Sequence, residues 1–97
     1  MEKDRDIIIS LYDLYEELLT IKQKRYFEDY YFLDLSLSEI AENYDISRNG
    51  VYDQIKRVVH ILEGFEDKLG LYKKIKQIED LTVNDDIKEE IINIIKE

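Results

Sequence analysis

Five side chains in one short stretch could read a nucleic-acid surface. Arg48, Asn49, Tyr52, Lys56 and Arg57 recur at three- and four-residue spacings, which place them on one side of a helix. A guanidinium can pair with guanine, and a carboxamide with adenine, through two hydrogen bonds each, so Arg48 and Asn49 suit base edges. Tyr52, Lys56 and Arg57 suit phosphates. Gly50 would let the backbone approach closely, at some cost in helix propensity. Asp53 shares this side and would repel phosphate unless it pairs with Lys56 or Arg57, three and four residues on.

Other chemistries find less support. His60 is the one histidine, and zinc needs three or four ligands that no cysteine helps to supply. The acid pairs Glu16-Glu17, Asp85-Asp86 and Glu89-Glu90 diverge by about 100° on a helix, as solvated surface does. Among the serines, Ser36 and Ser47 read as helix caps, and no histidine base lies near any of them. Eight tyrosines and three phenylalanines could stack on single-stranded bases, but their helical spacing suits a packed core. The expectation is a binding protein, not an enzyme, with no cofactor and no metal.

The elements that must hold the five side chains are helices. The chain has no proline and three glycines, and no stretch alternates as a strand does. Its 97 residues suit one all-α domain, 1–97. Periodicity predicts a first helix over about 4–19, with Ile8, Leu11, Tyr12, Tyr15, Leu18 and Leu19 inward, and a second over about 21–32, behind the capping-box pair Thr20 and Gln23. The second helix carries Lys22, Lys24 and Arg25 near its start. A short third helix over about 37–43 follows the pair Ser36 and Glu39. A fourth opens after Ser47 and buries Val51, Ile55, Val58, Val59 and Leu62. Gly64 is expected to weaken or kink it and Gly70 to end it. Helices over about 71–81 and 84–96 close the chain, the last with Ile87, Ile91, Ile94 and Ile95 on one face.

The stretch SLSEIAENYDISRNGVYDQIK has the offsets of a helix-turn-helix, running from about 36 to 60. Ala41 is small where the second helix must cross the first. Tyr44 and Ile46 flank the turn. Asp45 tolerates the left-handed backbone the turn needs. Val51, ten residues after Ala41, and Ile55 supply the buried side of the second helix.

The net charge of −9 opposes nucleic-acid binding, but its distribution does not. Residues 47–60 carry three basic side chains against one acid and form the clearly basic stretch. No apolar run approaches the roughly 20 residues of a membrane helix, and the MEKDRD start lacks a signal peptide's apolar stretch. A cytoplasmic protein without membrane insertion is expected. The apolar faces at both ends exceed what a small trihelical motif covers, so a homodimer is expected, with 71–97 as its contact region.

The pieces LYDLYEELLT, KRYFEDYYFLDLSLSEIAENYDISRNGVYDQIKR and EDKLGLYKK, between Leu11 and about Lys74, resemble the YlxM-type small bacterial helix-turn-helix proteins. The motif half is also similar to region four of bacterial sigma factors. The resemblance implies an all-α helical bundle with a helix-turn-helix of the sigma region-four type and extra C-terminal helices. The motif with its basic second helix points to a regulatory protein whose partner is DNA. Family genes tend to neighbour those of the signal recognition particle, which implies a link to that pathway. The alternative partners are then components of that particle, bound by a protein- or RNA-binding adaptor that uses the motif as a scaffold.

Overall fold

A computed structural model describes residues 4–81 and 83–97. Among them are six α-helices and no strand: α1 (Arg5–Tyr15), α2 (Ile21–Tyr31), α3 (Leu37–Tyr44), α4 (Arg48–Leu69), α5 (Leu71–Glu79) and α6 (Asp85–Lys96), with a 3-10 turn at Glu16–Leu18. The all-α reading of the sequence holds.

Short polar side chains set the helix starts. Asp4 accepts from the Asp6 and Ile7 N–H groups ahead of α1, and Asn84 accepts from Asp86 N–H ahead of α6. Thr20–Gln23 and Ser36–Glu39 both form the two-way capping box read from the sequence. Ser47 Oγ accepts from Gly50 N–H at 2.9 Å and begins α4. The stops are left-handed residues: Asp45 (φ 54°) ends α3, and Gly70 (φ 65°) ends α4.

α1, α2 and α3 pack around the first two-thirds of α4, and their buried side chains form one cluster. Phe27 is fully buried, stacked on Tyr12 at 4.2 Å and on Tyr31 at 4.4 Å between ring centroids. Ile40, Val51, Ile55 and Leu62 are equally buried. Arg5 ties the start of α1 to the far end of α2, donating to the Tyr31 carbonyl and to Asp34.

Three features sharpen the reading of the sequence. The first helix stops at Tyr15, because the chain tightens into the 3-10 turn and then extends at Leu19 to reach the Thr20 cap. Leu19 therefore enters the core, whereas Leu18 is 57% exposed. Secondly, α4 runs through Gly64 without interruption. Leu62, on the inward side, is fully buried, and glycine alone weakens a helix without breaking it. Thirdly, α6 packs chiefly on α5, so one stripe is covered: Lys88, Ile91, Ile92 and Ile95 are half-buried, while Ile87 is 50% and Ile94 66% exposed.

The buried tyrosines predict alkaline lability. Burial, reinforced by the hydrogen bond to Glu66, pushes the Tyr15 hydroxyl up to about 12, and burial raises Tyr12, Tyr31 and Tyr44 as well. A phenol whose folded pKa is raised gives stability that is complete below its unfolded pKa of about 10. That contribution is lost as pH climbs through the folded value. Urea unfolding followed across this range should show stability falling from about pH 10 upward, and Tyr15→Phe should flatten the fall. A profile that stays level up to pH 12 would show that these phenols do not carry it.

Candidate nucleic-acid interface

The helix-turn-helix is built as its spacing requires. Ala41 is 7% exposed on the side of α3 that meets α4. Ile46 N–H donates to the Ala41 carbonyl at 3.1 Å, across the left-handed Asp45, and this closes the turn. The Tyr44 hydroxyl donates to Asp29 at 3.0 Å, and its ring packs on Tyr26 with centroids 4.7 Å apart. Ile46, the apolar residue just beyond the turn, is 38% exposed and leans on the start of α4.

Val51 and Ile55 anchor α4 from within, so its opposite side faces solvent. Arg48, Asn49, Tyr52, Asp53, Lys56 and Arg57 are all exposed there. Among the described residues, none of Arg48, Asp53, Lys56 and Arg57 forms an ion pair. Asp53 therefore does not pair with Lys56 or Arg57 and stays a repulsive charge on this face, while the three cations keep their full capacity for an anion. Lys56, Arg57 and His60 border an open hollow of about 470 Å³ farther along the helix.

Gly50 also has a role inside the motif. A Cβ there would stand 3.1 Å from Ser47 Oγ and 3.6 Å from Ile46 Cδ1. The glycine leaves room for the cap hydroxyl and for the turn behind it.

A second basic strip escaped the sequence reading. Lys22, Arg25, Tyr26 and Asp29 follow the i, i+3, i+4, i+7 rule along one side of α2. Lys22 Nζ lies 5.9 Å from the Tyr26 ring, which in turn packs on Tyr44 beside the turn. The Arg25 charge partly offsets the rise that burial and Asp29 impose on the Tyr44 hydroxyl. The four-residue spacing was visible in the sequence; its contact with the end of α3 was not.

Among the described residues no group of three or more His, Cys, Asp or Glu side chains gathers as a metal site would require. No described helix is long and apolar enough to cross a membrane.

Comparison with known proteins agrees with this architecture. Residues 1–97 match the family model described as "Putative helix-turn-helix protein, YlxM / p13 like". A UPF0122 protein of Listeria welshimeri is 54% identical over 71 residues, which is 73% of this chain and 64% of the relative. Another, from Bacillus velezensis, is 55% identical over 67 residues, 69% of this chain and 61% of the relative. The matched region thus spans less than two-thirds of these relatives' length. With the family model covering the whole chain and the motif present in the structure, the chain belongs to the YlxM/p13-like helix-turn-helix family, UPF0122.

Proposed function

We propose that this chain is a small cytoplasmic regulatory protein that acts by binding double-stranded DNA, with the first half of α4 in the major groove, and not by catalysis. The observation that carries the reading is the exposed, unpaired cationic side of α4, presented by a turn of helix-turn-helix geometry. Arg48 and Asn49 lie nearest the N-terminus, where such helices meet base edges. Lys56 and Arg57 lie two turns on, where the groove wall is phosphate.

These roles separate in binding titrations at several salt concentrations. Lys56→Ala should weaken every duplex alike and lower the salt slope by about one contact's worth. Arg48→Ala should cost about 1–3 kcal/mol of discrimination at a single base pair. Equal and uniform losses in both variants would remove Arg48 from base readout.

We further propose that two copies pair through the uncovered stripe of α6, bringing two recognition helices to two half-sites. Ile87 and Ile94 are seven residues apart, two turns along one side of that helix, and both are at least half exposed. Sedimentation at micromolar concentration should give a dimer, and Ile94→Asp a monomer that keeps its helical content. A wild-type monomer would refute the pairing.

A second reading rests on the net charge of −9 and on the same exposed isoleucines. Here the chain is an adaptor of the signal recognition particle pathway, docking on protein or RNA with the helix-turn-helix as scaffold. Undiminished partner binding in an α4 charge variant would favour it.

A further inference from the structure

We propose that Lys22 and Arg25 on α2 form a second phosphate-binding strip that clamps the DNA backbone beside the turn of the helix-turn-helix. The inference rests on the DNA reading above and adds to it a contact outside α4. Both side chains are exposed, and both lie on the one side of α2 that runs to Tyr26 and Asp29. Tyr26 packs on Tyr44, and Asp29 accepts from the Tyr44 hydroxyl, so this side of α2 is fixed against the last residue of α3. α4 begins four residues later, after Asp45, Ile46 and the Ser47 cap. The two cations therefore flank the end of α4 that would enter the groove, where the flanking surface of a duplex is phosphate.

Neither cation is tied up in an ion pair. Among the described residues, neither Lys22 nor Arg25 forms an ion pair, and Asp29, the acid on the same stripe, is engaged by Tyr44. The exposed acids Glu42 and Asp45 stand at the same end of α3 and would repel phosphate. A cationic strip on α2 offsets them at the point where the backbone must pass, a need made acute by a net charge of −9. Lys24 points about 200° around the helix from Lys22 and does not belong to the strip.

The test uses the full chain and a fluorescent duplex recovered by in vitro selection on the wild-type protein. The variant Lys22→Gln, Arg25→Gln should lower the slope of log affinity against log salt by about two units, close to 0.9 per lost contact. Its affinity at about 0.1 M salt should fall at least tenfold. Its preference for the selected duplex over a scrambled one should not change, because phosphate contacts carry no sequence information. Its thermal melting should match the wild type, and Lys24→Gln should leave slope and affinity as they were. An unchanged slope in the double variant, with the wild type still binding, overturns the strip and leaves α4 as the DNA contact. A lowered melting temperature with an unchanged slope does the same and assigns both cations to the fold. If selection recovers no duplex at all, the strip and the DNA reading fall together.

Discussion

Reversing the charge of two side chains, in Lys56→Glu with Arg57→Glu, should reduce DNA affinity by at least about a hundredfold at 0.1 M salt. Both residues are exposed, and among the described residues neither forms an ion pair, so the reversal should leave the fold intact. Val58 and Val59 beside them, which hold this part of α4 on the core, are untouched. Two attractive phosphate contacts become two repulsive ones next to Asp53, on a protein that already carries −9. The counterions no longer released account for most of the expected loss. Matching circular dichroism with lost anisotropy in a duplex titration is the predicted outcome. Unchanged affinity would remove this face from binding and turn attention to the adaptor reading.

Glu66→Ala should destabilise the protein by about 2–4 kcal/mol. The Glu66 carboxylate accepts from the Tyr15 hydroxyl at 2.7 Å, from Tyr72 N–H at 2.9 Å and from Lys73 N–H at 3.1 Å. The Tyr15 oxygen in turn accepts from Leu71 N–H at 3.2 Å. α5 begins at Gly70, which has no side chain to cap it, so Glu66 from the preceding helix and Tyr15 from α1 do so together. Removing the carboxylate strands the hydroxyl of a 1%-exposed tyrosine and takes the acceptor from the Tyr72 amide and the more exposed Lys73 amide. Amide exchange should accelerate most at the start of α5, and that of Ile40 and Val51 by far less. Glu66→Gln keeps an acceptor for the amides and should recover about half of the stability. A Glu66→Ala protein within 0.5 kcal/mol of wild type would mean that the junction does not hold the C-terminal pair.

That junction also aims the last two helices. The chain measures 50 × 24 × 23 Å with a radius of gyration of 15.7 Å, against about 12–13 Å for a rounded domain of this length. The buried cluster ends with Leu62, and α6 contributes no fully buried residue. An ion pair of Lys96 with Asp13 at 3.8 Å leads back from α6 to α1. Partly exposed at both ends, such a pair adds at most a few tenths of a kcal/mol.

What could be read from the sequence followed the range of the interactions. Capping boxes at Thr20 and Ser36, the left-handed Asp45 and the inward series Val51, Ile55, Val58 and Leu62 depend on residues within one or two turns, and all appear as expected. The outward placement of Arg48, Asn49, Tyr52, Lys56 and Arg57 follows directly from that inward series. Long-range choices were hidden. Which stripe of α6 is covered depends on its having α5 as its main neighbour, and the isoleucines at 87 and 94 do not announce that. Glu66 looks like any surface acid until Gly70 folds the next helix back onto it. Gly64 reads as a weak point, and whether the helix continues through it depends on packing that the sequence does not display. The α2 strip was invisible for the same reason: Lys22 and Arg25 gain meaning only where Tyr26 meets Tyr44.

The central claim is that the exposed side of α4 recognises double-stranded DNA. It is tested most directly by presenting the wild-type protein with fragmented genomic DNA and total RNA from the same cells, in one competition at physiological salt. The retained nucleic acid is then sequenced beside that retained by the Lys56→Glu, Arg57→Glu variant. The wild type should retain duplex DNA fragments that share a short sequence, and the variant none. Retention of RNA alone, or of the same DNA by the variant, would contradict it.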